Sequence, residues 1–150
     1  MIPDTATRVP QHSPDHVNNA IRRSGERSVR YYAEHPEEID RRLAELDAEW
    51  DIERTLEANA ATVSLIGLGL AVAVDRRFLA LPAAVAGFLL QHAVQGWCPP
   101  LPLFRRLGFR TEAEINGERM ALKALRGDFD DLTAKRPKAR ARQAVRAAQA

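Results

Sequence analysis

Two apolar runs, Ala58–Val74 and Phe78–Val94, stand on either side of a charged link, Asp75-Arg76-Arg77. No other pattern in the chain restricts its fold as strongly. Sequence this apolar must leave water, and so short a link turns one helix straight back on the next. At 1.5 Å per residue the first run reaches roughly 25 Å, slightly short of a hydrocarbon core near 30 Å. The second extends to Trp97 and reaches about 30 Å, which places the amphipathic indole at headgroup level. Between Ala58 and Phe104 the link carries the only charges, whereas both flanks are dense in Arg, Asp and Glu. A soluble bundle spreads its apolar residues as stripes along every helix. The segregation therefore favours a bilayer, with a soluble bundle built around a buried hairpin as the competing architecture.

Small residues recur four apart along both runs: Ala60/Ser64, Gly67/Ala71, Gly69/Ala73 and Ala83/Gly87. In lipid, packing drives helix association, and such spacing lets backbones approach closely. Gly67, Ala71, Ala83 and Gly87 are the expected contacts, within the hairpin or between copies. Pro82 falls early in the second helix, where its missing N–H costs least.

The flanks divide by composition. Residues 1–16 hold three prolines and no periodicity, which predicts a disordered lead without a secretory signal. Residues 17–57 form a cytoplasmic amphipathic helical region, weakened at Gly25. Its main helix is expected over Pro36–Glu57, with Pro36, Glu37 and Glu38 suited to a helix start and Ile39, Leu43, Leu46 and Trp50 on one stripe. After the hairpin (58–74 and 78–97), residues 98–134 read as an interfacial segment followed by a helix. Arg105 and Arg106 belong to the segment's membrane surface. Thr111 and Glu114 suit a capping box, Ile115, Leu122, Leu125 and Phe129 the apolar face, and Gly127 the stop.

Residues 135–150 form a basic tail with six cations and no anion. Residues 20–57 carry 7 Arg against 11 Asp and Glu, whereas residues 105–150 carry 12 Lys and Arg against 6. The basic half suits an anionic leaflet or the acidic half of the same chain. Nucleic acid is disfavoured, since the tail has no aromatic residue for base stacking. The narrow stripe of the acidic helix fits either the C-terminal helix or a second copy.

A single cysteine, Cys98, excludes an internal disulfide and any zinc site of several thiolates. Cys98 is the candidate thiol, with Arg105 and Arg106 as nearby cations. His92, six positions earlier, would not share its face on an uninterrupted helix. His12 and His16 have the spacing of a helical metal pair, but Pro14 separates them. No cofactor or metal is expected.

With the Glu53-Arg54 lead-in, Asn59, the Gly96-Trp97-Cys98-Pro99 exit and the later Leu107-Gly108, residues 51–109 resemble the YgaP-like inner-membrane transmembrane-domain family. The doubled Pro99-Pro100 departs from that pattern. The resemblance implies a bacterial domain of unknown function. Some relatives carry a rhodanese, but the arginine six positions after the cysteine that such chemistry needs is Phe104 here. The resulting expectation is an all-α protein: a transmembrane hairpin flanked by an N-terminal amphipathic helix and a C-terminal cytoplasmic helix. Arg54, Arg105, Arg106 and Arg110 outnumber Arg76 and Arg77, which points both termini toward the cytoplasm. The expected role is non-enzymatic, as an inner-membrane homo-oligomer that organises a cytoplasmic protein partner. Sulfur relay or redox work through Cys98 is the alternative.

Overall fold

The computed structural model describes residues 4, 7–130, 132 and 137–149. Among these the secondary structure is helical, without strands. In chain order the helices are α1 (Arg8–Gln11), α2 (Asp15–Glu34), α3 (Ile39–Ala48), α4 (Ile52–Ala73), α5 (Ala80–Gln95), α6 (Leu101–Arg106), α7 (Glu112–Arg126) and α8 (Pro137–Gln149). Short 3₁₀ turns at Pro36–Glu38 and Arg76–Leu79 lead into α3 and α5. Two compact units form, one from Met1–Ile21 and Trp50–Glu112, the other from Arg22–Glu49 and Ala113–Ala150.

The first unit contains the hairpin. Asp51 caps α4, its carboxylate accepting from the Arg54 N–H at 2.7 Å. At the far end Asp75 accepts from the Arg77 N–H at 2.7 Å, so the charged link is a capped turn. The seam of α4 toward α5 runs through Ala60, Gly67 and the half-buried Val63, Ser64, Leu70 and Ala71. The two helices pack tightly at Gly67, where an added Cβ would lie 2.7 Å from Pro82 Cδ and 3.1 Å from Leu81 Cβ. Ala83 and Gly87 do not join this seam. Both are exposed, and nothing lies within 4 Å of where a Gly87 Cβ would be. The α5 face turned to α4 is instead marked by Pro82, Val85 and His92.

The hairpin does not supply a buried core. Leu65, Ile66, Val72, Phe88, Leu90 and Val94 are all exposed, Val72 to 91%. The unit's core lies at the open end of the hairpin, where Val9, Ile52, Leu56, Cys98 and Leu101 cluster and Trp97, Phe104 and Phe109 pack against them. The lead expected to be disordered is ordered over residues 7–16. Pro10 lies in the short helix α1, Pro14 accepts from the Val17 N–H as α2 begins, and Val9 is buried. Residues 1–3, 5 and 6 lie outside the described set.

In the second unit, Tyr32, Ile39, Leu43, Leu46, Ile115 and Leu122 form one core. The acidic helix thus packs on the C-terminal helix of its own chain. Charge follows the same pairing: Arg42 meets Glu118 at 2.9 Å, Arg119 meets Asp47 at 2.8 Å, and Arg126 meets Asp40 at 2.5 Å. Trp50 leaves the expected stripe. The helix ends at Ala48, Glu49 and Asp51 are extended, and Trp50 is exposed beneath the Arg54 guanidinium, 4.2 Å from its ring. The expected continuous helix over Pro36–Glu57 is therefore two helices with a break between them. Gly25, by contrast, leaves α2 unbroken. Beyond Gly127, which ends α7 at φ +89°, the basic tail is helical over Pro137–Gln149. Residues 131, 133–136 and 150 lie outside the described set.

Candidate functional site

Sequence spacing separates His92 from Cys98, but the backbone brings both to the open end of the hairpin. Helix α5 ends at Gln95 because Gly96 takes a left-handed turn, φ +81°, with its N–H donating to the His92 carbonyl at 2.7 Å. Such a turn suits glycine, and here it also admits a neighbour. A Cβ on Gly96 would lie 2.6 Å from Arg8 Cβ and 2.7 Å from the Arg8 carbonyl oxygen. The chain then doubles back, and Cys98 is buried in the core cluster at the same open end of the hairpin. The expected extension of this helix to Trp97 is thus cut short.

Three side chains meet at the open end of the hairpin. His92 is 4% exposed, and its Nε2 lies 2.8 Å from Glu53 Oε2. The other oxygen of Glu53 accepts from Arg8 at 2.9 Å, and Arg8 also donates to the Ala93 carbonyl at 3.0 Å. Arg8 therefore holds the carboxylate from one side while the imidazole holds it from the other. A carboxylate accepts the Nε2 proton. The other ring nitrogen, Nδ1, is buried without a hydrogen-bond partner. Glu53 thus orients the imidazole, and Cys98 is the thiol buried in the core at the same end of the hairpin.

The remaining expected site residues are placed elsewhere. Cys98 is 4% exposed and belongs to the core. Trp97 is half-buried beyond the helix end and packs on that core. Arg105 is fully buried, donating to Ser13 Oγ, Asn18 Oδ1 and the Phe109 carbonyl. It is an internal cross-link and not a surface anchor. Arg106 is exposed. His12 turns back to hydrogen-bond the Arg8 carbonyl, and no cluster of three metal-ligating side chains forms among the described residues.

Glu53 and Arg8 are the participants that spacing arguments missed. Glu53 had a signal, because an antiparallel hairpin turning at residues 75–77 brings the start of α4 beside the end of α5. Arg8 had none, since it arrives from a separate segment. The chain matches no protein-family model, no curated protein and no solved structure.

Proposed function

We propose that this chain is a small bacterial inner-membrane protein whose α4–α5 hairpin spans the bilayer and whose remaining helices organise a cytoplasmic protein partner. The observation that carries this reading is the outward apolar surface of the hairpin. Both α4 and the Arg76–Gln95 stretch are long and apolar enough to cross a membrane, and their large side chains face outward. In water that surface would be strongly unfavourable, at about 25 cal/mol per Å² of apolar area. The resemblance to YgaP-like domains agrees with this reading, as does the exit turn at Gly96-Trp97-Cys98-Pro99.

Assembly into a homo-oligomer fits the exposed Ala83 and Gly87, which leave open space for a second backbone on the outer face of α5. Lys138, Arg140, Arg142 and Arg146 of α8 are exposed and suit an anionic cytoplasmic leaflet. The positive flanks keep both termini on that side. Cysteine accessibility tests the arrangement. With Cys98→Ser as background, Asp75→Cys should react with an impermeant maleimide added outside spheroplasts. Labelling only after the cells are opened would reverse the orientation.

A second reading has its own observation. The Cys98 thiol, buried at the same end of the hairpin as a carboxylate-oriented imidazole, supports a thiol function, as a sulfur-relay or redox accessory protein. Alkylation of Cys98 that leaves every cellular phenotype unchanged would count against it.

A further inference from the structure

We infer that the second unit binds a small monocarboxylate, held by Lys123 in a cleft lined by α3, α7 and the end of α8. The inference goes beyond the membrane and thiol readings and depends on neither. Two observations carry it. The cleft has a volume of about 600 Å³, within the range of small-molecule sites. Lys123 lines it, is only 5% exposed, and makes no ion pair among the described residues. Its ammonium donates instead to the Ala148 carbonyl at 2.9 Å. Taking such a charge out of water is costly unless an anion meets it. An ammonium has three donors, and the carbonyl occupies one of them. That carbonyl lies in the last turn of α8, whose dipole supplies about half a negative charge. Lys123 therefore keeps spare donors and uncompensated charge on the wall of the cleft.

The other charges of the cleft select the ligand. Arg119, Lys123 and Arg126 are spaced four and three apart on α7, which puts them on one face. Asp40 and Asp47 line the α3 side. The outer groups pair with one another, Arg119 with Asp47 and Arg126 with Asp40. Asp128 acts on Lys123 only at longer range, because both its oxygens accept from Arg126. Lys123 is thus the cation of the cleft that no carboxylate meets among the described residues. A single negative charge completes the arrangement. A phosphate dianion would bring its second charge against Asp40 and Asp47, and like charges so close repel. The guanidinium groups that would grip a phosphate at two points are already engaged by aspartates. Leu43 also lines the cleft and gives a short alkyl chain an apolar contact.

The test follows Lys123 itself by NMR. The chain has three lysines, Lys123, Lys135 and Lys138, so isotope-labelled lysine gives few signals and single substitutions assign them. The full chain in phosphatidylcholine nanodiscs is titrated with sodium butyrate at constant ionic strength. The Lys123 signal should shift and saturate, with half-saturation on the order of millimolar. Lys135 and Lys138 should move no more than they do in sodium chloride. Inorganic phosphate as the dianion should need at least about tenfold more to reach the same shift. Lys123→Met should abolish saturation transfer from the protein to butyrate, with its thermal transition as the check that it folds. Where that variant does not fold, Asp47→Asn takes its place. With one repelling carboxylate removed, phosphate should bind roughly threefold or more tighter. A Lys123 signal that butyrate does not move overturns the proposal, as does an equal shift of all three lysines. Phosphate binding as tightly as butyrate to the wild-type chain overturns it too. So does undiminished saturation transfer in a folded Lys123→Met, or an unchanged phosphate affinity in Asp47→Asn.

Discussion

Gly96 shows how much a single residue carries at the open end of the hairpin. Its left-handed turn costs an ordinary residue about 1–2 kcal/mol, and the contact with Arg8 adds a clash with backbone atoms. Gly96→Ala is therefore expected to lower stability by about 2 kcal/mol or more in chemical unfolding, and to loosen Arg8 from Glu53. Arg105 acts by hydrogen bonding instead. Arg105→Met leaves Ser13 and Asn18 without their cationic donor, at a cost of about 3 kcal/mol by the same measurement. Asp128 gives a pH signature. The Arg126 guanidinium, bonded at 2.6 Å, holds its carboxyl below the usual carboxylate range. A depressed folded pKa gives stability that is present above the unfolded value near 4 and is lost as pH falls through the lower folded value. Asp128→Asn should thus reduce thermal stability at pH 7 by more than it does at pH 2.

At the scale of elements, α4 and α5 were legible because apolar length is a direct physical demand. The pairing of α3 with α7 was half legible. Complementary charge and two apolar stripes indicated partners, but not whether they lay within one chain. The break between α3 and α4 was missed because Glu49-Trp50-Asp51 contains neither glycine nor proline, although Asp51 before Ile52 is itself an N-cap signal. Proline content makes the lead read as disorder, whereas Pro10 falls in α1 and Pro14 stands at the start of α2. Small-residue spacing placed Gly67 in the hairpin seam but did not say that Ala83 and Gly87 lie on the outer face of α5, since composition does not say which face turns inward. The two glycines make a paired test. Gly67→Leu should separate the hairpin, seen as faster proteolysis near Asp75, while Gly87→Ala should leave the digestion rate within twofold of wild type.

At the scale of the whole molecule, the site shows where a sequence reading stops. Cys98 was visible as the only thiol, and His92 as a polar residue at the end of an apolar run. Their placement at one end of the hairpin depends on a turn at Gly96, and the imidazole is oriented by Glu53, 39 residues from His92 along the chain, so local periodicity could not supply the site. The membrane reading has a different basis, because it rests on the amount of apolar surface left facing outward. Extraction of membranes with alkaline carbonate tests it most directly. The chain should remain in the membrane pellet with integral proteins. Release into the supernatant would contradict the account, leaving the exposed hairpin to be covered by protein and not by lipid.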